Sequence, residues 1–318
     1  MEDFSLIDFV DTLDASRRKV RGISFGCSCE GCKEKAIDKS HLLQQNPFIY
    51  SIADEKKKVY QFSDNEIHPR TSGLSFSKLQ KIPVDRALCY PLFCAKHDSE
   101  LFKPIETKGF DIEDIKNQLL FCYRSLCAQR YLEQKSLAFY KENGFEGEFY
   151  ESQIMASHYV IEIYNNTVKA LWNDIQSSDL NDYMFKVVTM PRLPICLSDC
   201  IIDDNDLCDI FNVLYIHLLP FERESKLILG YHKSHVSNNQ IDYYDSWRLY
   251  YSTTDSKAIN GLLARCKNWC CSPSYIQDED YFVEELDIER VKIHIKENCM
   301  LFTTLDCISI NDNDDLLE

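Results

Sequence analysis

The spacing of apolar residues along the chain changes character twice. Between residues 111 and 140 they recur one or two turns apart, at Ile112, Ile115, Leu119, Tyr123 and Leu126, which predicts an amphipathic helix. Gly144 to Gly147 interrupts the pattern. Ile161, Tyr164, Val168, Leu171 and Ile175 then mark one stripe of a second helix over about 150–175. Two such helices joined by a short polar turn predict an antiparallel hairpin. From Met184 the pattern shortens: 185–190, 196–202, 210–219 and 226–232 read as strands, separated by polar or Pro-containing breaks at 191–194, 203–206 and 222–225. Residues 243–251, 258–266 and 287–296 return to helical spacing, and 311–318 is an acidic tail.

Upstream of residue 110 the pattern is shorter and more interrupted. Residues 2–14 carry a helix-like set, Val59–Phe62 reads as a strand, and 63–81 is a polar loop with Pro69 and Gly73. Residues 94–105 predict a helix with Leu101, Phe102 and Ile105 on one face and Pro104 limiting its length. The expected fold class is α+β. It comprises a small module at 1–108 and a larger domain at 109–318, in which the helical hairpin packs on a mostly antiparallel sheet.

Composition narrows the classes. With 318 residues and 45% hydrophobic content the chain can build a sizeable core, so a disordered chain is excluded. The longest strongly apolar stretch, 213–221, is too short to span a bilayer and contains His217 and Pro220. Residues 1–13 carry four acidic residues and no basic start before an apolar block. A cytoplasmic protein with no membrane partner is expected. Fifteen cysteines in such a chain do not read as a disulfide framework; most are scattered, as small buried hydrophobes are.

The net charge is −16, but it is unevenly spread. Residues 16–108 hold 17 Lys and Arg against 11 Asp and Glu, a net of +6, so the remainder carries −22. An acidic field repels a polyanion as a whole, so phosphate binding has to be local to the basic segment. Arg17-Arg18-Lys19-Val20-Arg21 within it reads as a linker or a phosphate contact.

That basic segment also holds the chemistry. Cys27-Ser28-Cys29-Glu30-Gly31-Cys32 and, after 61 intervening residues, Cys94-Ala95-Lys96-His97 offer ligand pairs at both ends of a loop. Cys29, Cys32, Cys94 and His97 together give three thiolates and one imidazole, a closed tetrahedral set for structural Zn2+. Cys27 is an alternative to Cys29 that spacing leaves open. A metal closing so long a loop contributes its binding free energy to folding. Other groups read as structural: His232-x2-His235 as surface histidines, Cys266-x3-Cys270-Cys271 as buried thiols, and Asp199, Asp203, Asp204 and Asp206 as a solvated turn.

A Cys-x2-Cys knuckle, His41 nine residues later, and a Cys-x2-His pair opening a helix resemble the zinc-containing HNH endonucleases of the ββα-metal (His-Me finger) superfamily, over roughly 25–106. The resemblance implies a treble-clef ββα module. It also implies His41 as general base and Asp98, next to the last zinc ligand, as holder of a catalytic Mg2+ or Mn2+. Lys39, Lys96 and Lys103 are candidate contacts to the phosphate backbone. The chain departs from the family pattern in having Ser40 before the base, no asparagine in 82–93, and aspartate at 98. The implied function is a metal-dependent endonuclease acting on nucleic acid, DNA in preference to RNA, in a microbial defence setting. A protein partner is expected on the acidic C-terminal domain. The alternative is a non-catalytic zinc-binding adaptor.

Overall fold

The structure, a computed structural model, describes residues 25–62, 79–143, 148–177, 180–203, 209–246 and 256–276. The chain is a mixed α+β fold built on a mostly antiparallel seven-stranded sheet. In chain order the strands are β1 (Ser40–His41), β2 (Lys58–Phe62), β3 (Leu79–Pro83), β4 (Cys89–Tyr90), β5 (Tyr183–Pro191), β6 (Ile195–Asp203), β7 (Asn212–Pro220), β8 (Glu224–His232) and β9 (Trp269–Cys271). The helices are α1 (Tyr50–Ile52), α2 (Ala95–Leu101), α3 (Lys103–Glu106), α4 (Ile115–Asn143), α5 (Glu148–Gln176), α6 (Asn238–Ser246) and α7 (Ser256–Arg265). β1 and β4 pair as a small separate ribbon, and the large sheet runs β3-β2-β9-β6-β7-β8-β5 with antiparallel neighbours throughout.

β7 shows why this sheet forms at its centre. Every residue from Val213 to Pro220 is buried, because both faces of the strand are covered. Val213, Tyr215 and Leu219 point into a core built with α4 and α5. Leu214, Ile216 and Leu218 point into a second core built with α6, α7 and Trp269. The period-2 alternation therefore divides one apolar run between two layers of helix. The predicted strands at 185–190, 196–202, 210–219 and 226–232 are β5 to β8, and both long helices are present.

Differences from the sequence expectations lie mainly at boundaries and in one long-range pairing. The 94–105 helix breaks at Phe102 into α2 and α3, one residue before Lys103-Pro104, where the ring cannot continue the previous turn. β3 begins inside the segment read as loop, and 63–78 lie outside the described residues. So do 1–24, with the basic run, the 144–147 turn, the 287–296 helix and the acidic tail. The 243–251 helix begins earlier, at Asn238. β9 had no expected counterpart: Tyr60 pairs with Cys271 and Gln61 with Cys270, while Ile195 to Leu197 pair on its other side. Strands from both sides of residue 108 thus share one sheet. Leu42, Phe48, Phe93 and Phe102 share one core with α4 and α5.

Candidate metal centre

Residues 25–37 fold back on themselves in a short ribbon. Cys27 N–H donates to the Glu34 carbonyl at 2.9 Å, Ala36 N–H to the Phe25 carbonyl at 3.1 Å, and Gly26 bridges Lys35. Cys32 N–H closes the turn on the Cys29 carbonyl at 3.1 Å, with Gly31 at φ 73°, a left-handed conformation that suits glycine. The second half is the start of α2, where Cys94 is the N-cap residue and Asp98 N–H donates to its carbonyl at 2.9 Å. The halves are laced together by Ser28 N–H to Leu92 (2.7 Å) and Ile37 N–H to Phe93 (2.8 Å). From α4, the Tyr123 hydroxyl and the Arg130 guanidinium both donate to the Ser28 carbonyl.

This lacing gathers one ligand atom each from Cys27, Cys32, Cys94 and His97 to within 4.8 Å of one another. Cys27 Sγ and Cys94 Sγ each lie 3.3 Å from His97 Nδ1, and Cys32 Sγ lies 3.9 Å from Cys94 Sγ. Zinc bond lengths of about 2.3 Å to sulfur and about 2.0 Å to nitrogen give tetrahedral edges of roughly 3.8 Å (S to S) and 3.5 Å (S to N). The donor set therefore fits a metal ion such as zinc. Of the two candidates that spacing left open, Cys27 is in the cluster. Cys29 is buried on the α4 side, close enough to Tyr123 and Cys127 for their charges to interact.

The thiols differ in their acidity. Main-chain N–H groups at the start of α2, led by that of His97, hold Cys94 below the ordinary thiol value. Burial pushes Cys27 up to about 12, and burial followed by the neighbouring Cys32 and Cys94 raises Cys29. A bound cation supplies the charge that offsets this desolvation and favours the thiolate form.

The two other predicted site residues lie beside this cluster. His41, on β1, pairs with Cys89 of β4 and is half-buried. Its Nε2 is 2.7 Å from the Gln45 amide nitrogen, and its ring also hydrogen-bonds the Asp85 main chain. An amide nitrogen only donates, so Nε2 is the acceptor and the ring proton sits on the other nitrogen. Burial, then the charge of Arg124, lowers the His41 pKa, so the imidazole is neutral at neutral pH. Asp98, on α2, hydrogen-bonds Ser40, the residue before His41. Burial raises its pKa, with Arg124 and Ser40 opposing, and its Oδ1 has no hydrogen-bond partner among the described residues.

Arg124, from the middle of α4, was not anticipated. Its side chain is 1% exposed. Its Nη2 donates to Glu106 Oε1 at 2.6 Å, its guanidinium lies 3.9 Å from the centre of the Phe102 ring, and Nε and Nη1 have no hydrogen-bond partner among the described residues. The signal was present in the sequence: Arg124 is the one charged residue between Asn117 and Gln129, in an otherwise apolar or neutral stretch of helix. The same arginine bears on the expected Mg2+ or Mn2+. Asp98 is a single carboxylate beside a buried guanidinium, and a second positive charge there is repelled at low dielectric. The residues present do not fit a divalent ion at Asp98.

The groups read as structural occupy other places. Asp199 is fully buried rather than solvated, accepting hydrogen bonds from Gln129, from the main chain at Cys200, Lys267 and Asn268, and from the Asn268 side chain. Cys266, Cys270 and Cys271 are buried thiols. His232 and His235 stack at 4.4 Å, half-buried in a cleft with Asp174 and Tyr183. No helix among the described residues is long and apolar enough to cross a membrane. No family model, curated protein or solved structure matches the chain.

Proposed function

We propose that the chain is a nucleic-acid phosphodiester hydrolase, an endonuclease of HNH type, in which zinc on Cys27, Cys32, Cys94 and His97 is structural. The observation that carries this reading is the state of His41. Its imidazole is neutral, the Asp85 main chain holds its proton away from Nε2, and Nε2 is the ring's proton acceptor, met here by the Gln45 amide in the field of Arg124. An imidazole so disposed takes a proton from a water molecule. The water oxygen forms a bond to phosphorus as the bond to the leaving sugar oxygen breaks. The leaving oxygen recovers a proton from solvent. The zinc, when bound, supplies folding free energy and holds α2 against the knuckle; the chain's own residues do the rest.

DNA is the proposed polymer in preference to RNA, met at the exposed Lys96 and Lys103, and the acidic remainder of the chain is the proposed site of a protein partner. Cleavage of plasmid, single-stranded DNA and RNA by zinc-loaded protein, with and without Mg2+, tests the reading. His41→Ala is expected to lose about 100-fold or more of the rate while keeping zinc and fold, with Cys94→Ser as the folding control. Full activity in His41→Ala would sink it.

A second reading is supported by a separate observation. Gln45 sits on His41 Nε2 and Glu106 on Arg124, so the site's own side chains already engage its two chief groups. That suits a non-catalytic zinc module in an adaptor protein. It predicts no cleavage of any substrate.

A further inference from the structure

We propose that Arg124 is the anion-binding cation of the His41–Asp98 site: its guanidinium takes the oxygens of a phosphodiester, Glu106 holds that place until the substrate arrives, and no divalent cation sits on Asp98. The choice of a phosphodiester as the anion rests on the hydrolase reading above; the anion site itself stands on three observations.

First, the cost of Arg124 is otherwise unexplained. A guanidinium buried to 1% exposure carries N–H groups that natural cores almost always pair. Here Nε and Nη1 have no partner among the described residues, although Asp98 Oδ1, also unpartnered and buried, belongs to the same electrostatic neighbourhood. Two of its three guanidinium nitrogens thus lack, among the described residues, the acceptors that their N–H groups call for.

Second, Glu106 shows what kind of group Arg124 accepts. Its carboxylate makes a short charge-assisted bond to Nη2, yet its side chain is about one-third exposed and lies at the end of the four-residue helix α3. An anion so held can be exchanged for another, and phosphate oxygens bind guanidinium through the same N–H donors as a carboxylate.

Third, the location matches a reacting phosphate. The charge of Arg124 acts on both His41 and Asp98. It comes from α4, an element outside the zinc segment, and stacks on Phe102, which fixes its position. A fixed cation there stabilises the charge that builds on phosphate oxygens during displacement.

The test is binding of a short fluorescein-labelled DNA oligonucleotide to the zinc-loaded full chain in divalent-free buffer at fixed salt. Zinc content and thermal midpoint are recorded for every variant. Glu106→Gln, which frees Arg124, is expected to tighten binding by about threefold or more over the exposed control Glu100→Gln. Arg124→Gln is expected to weaken it by about tenfold or more, with Arg124→Lys, which keeps the charge, in between. Should Arg124→Gln fail to fold, Glu106→Gln and Arg124→Lys still decide. A Mn2+ titration followed by electron paramagnetic resonance should show no ion that Asp98→Asn removes.

Unchanged binding in the Glu106 and Arg124 variants would overturn the proposal, and so would a Mn2+ site lost in Asp98→Asn. Arg124-dependent binding without cleavage of any substrate would uphold the anion site and remove the hydrolase reading. Cleavage that survives Arg124→Gln would keep the hydrolase reading and remove Arg124 from it.

Discussion

Cys27 and Cys29 are two residues apart, yet they face different surroundings, and the difference is measurable. Cys27 Sγ lies 3.3 Å from His97 Nδ1, whereas the buried Cys29 is outside the four-ligand cluster and within electrostatic range of Tyr123 and Cys127. Cys27→Ser removes one of four donors and is expected to weaken metal binding by about 100-fold or more, beyond the loss typical of an outer-shell partner. Cys29→Ser should leave metal affinity within a few-fold and instead cost about 1–2 kcal/mol of stability for a buried hydroxyl. Competition with a chromophoric chelator and urea denaturation separate the two; equal loss of metal in both variants would refute the assignment. A second residue-scale consequence concerns His217, fully buried between Ser198 Oγ at 3.1 Å and Cys122 Sγ at 3.7 Å. Burial pushes its pKa down to about 3, from an ordinary value of 6.5. Above pH 6.5 the ring is neutral in both folded and unfolded chains and its contribution is complete. Between 6.5 and 3 only the unfolded chain takes up the proton, so stability falls as pH falls, by on the order of 2 kcal/mol at pH 5. His217→Gln, which can still meet Ser198, should lose about that much less than wild type between pH 7.5 and pH 5 in urea unfolding. An identical pH dependence in the variant would show that His217 is not the titrating group.

At the scale of elements, β5 and β8 meet across a position with no room for a side chain. Phe185 pairs with Gly230, and a Cβ built on Gly230 would lie 2.0 Å from the Phe185 ring. The ring covers the glycine, which is how a sheet keeps a contact where one partner has no side chain. Gly230→Ala should therefore cost about 1–3 kcal/mol through displacement of the ring, whereas Gly261→Ala, in α7 with open space around it, should be neutral or stabilising by up to about 1 kcal/mol. Calorimetric midpoints compare the two, and an equal response would count against the packing account. β5 to β8 were legible in the sequence because each is long enough to show its alternation or its apolar run between clear breaks. β9 was not: three residues, Trp269-Cys270-Cys271, are too few to show a period, and their partners at 60–61 lie about two hundred positions away. The metal cluster was legible because ligand spacing is local on each side. Cys27 against Cys29 was not, since side-chain direction in a tight ribbon is set by what packs beneath it. Arg124 was visible only as a charge out of place on an apolar stretch, because the residues it meets come from elsewhere in the chain.

For the whole molecule, the question is whether the zinc segment is a module or part of one body. Within residues 25–106 the knuckle, the β1–β4 ribbon and α2 are joined by their own hydrogen bonds and by the candidate metal site. The larger interactions leave that segment. β2 borders β9 in the sheet, Tyr90 donates a hydrogen bond to Asn268 Oδ1 at 2.7 Å, and Arg192 reaches the Ser51 carbonyl at 2.7 Å. Phe93 packs near Tyr123, and Arg124 lies buried under α2 and α3. A fragment of residues 1–108 would expose the faces of Phe48, Phe93 and Phe102 that now pack with α4 and α5, and would leave β2 without one neighbour. A segment this short buries a smaller share of its surface than the full chain, and metal on four ligands fixes only the knuckle and the start of α2. The fragment, even zinc-loaded, is therefore expected to lack cooperative thermal unfolding, with amide protection confined to the residues around the ligands. In the full chain, protection should extend through β2 and β3. Cooperative unfolding of the isolated, zinc-loaded fragment would show instead that the segment is autonomous. The uneven charge would then mark a division between two bodies, rather than a basic face on a single acidic one.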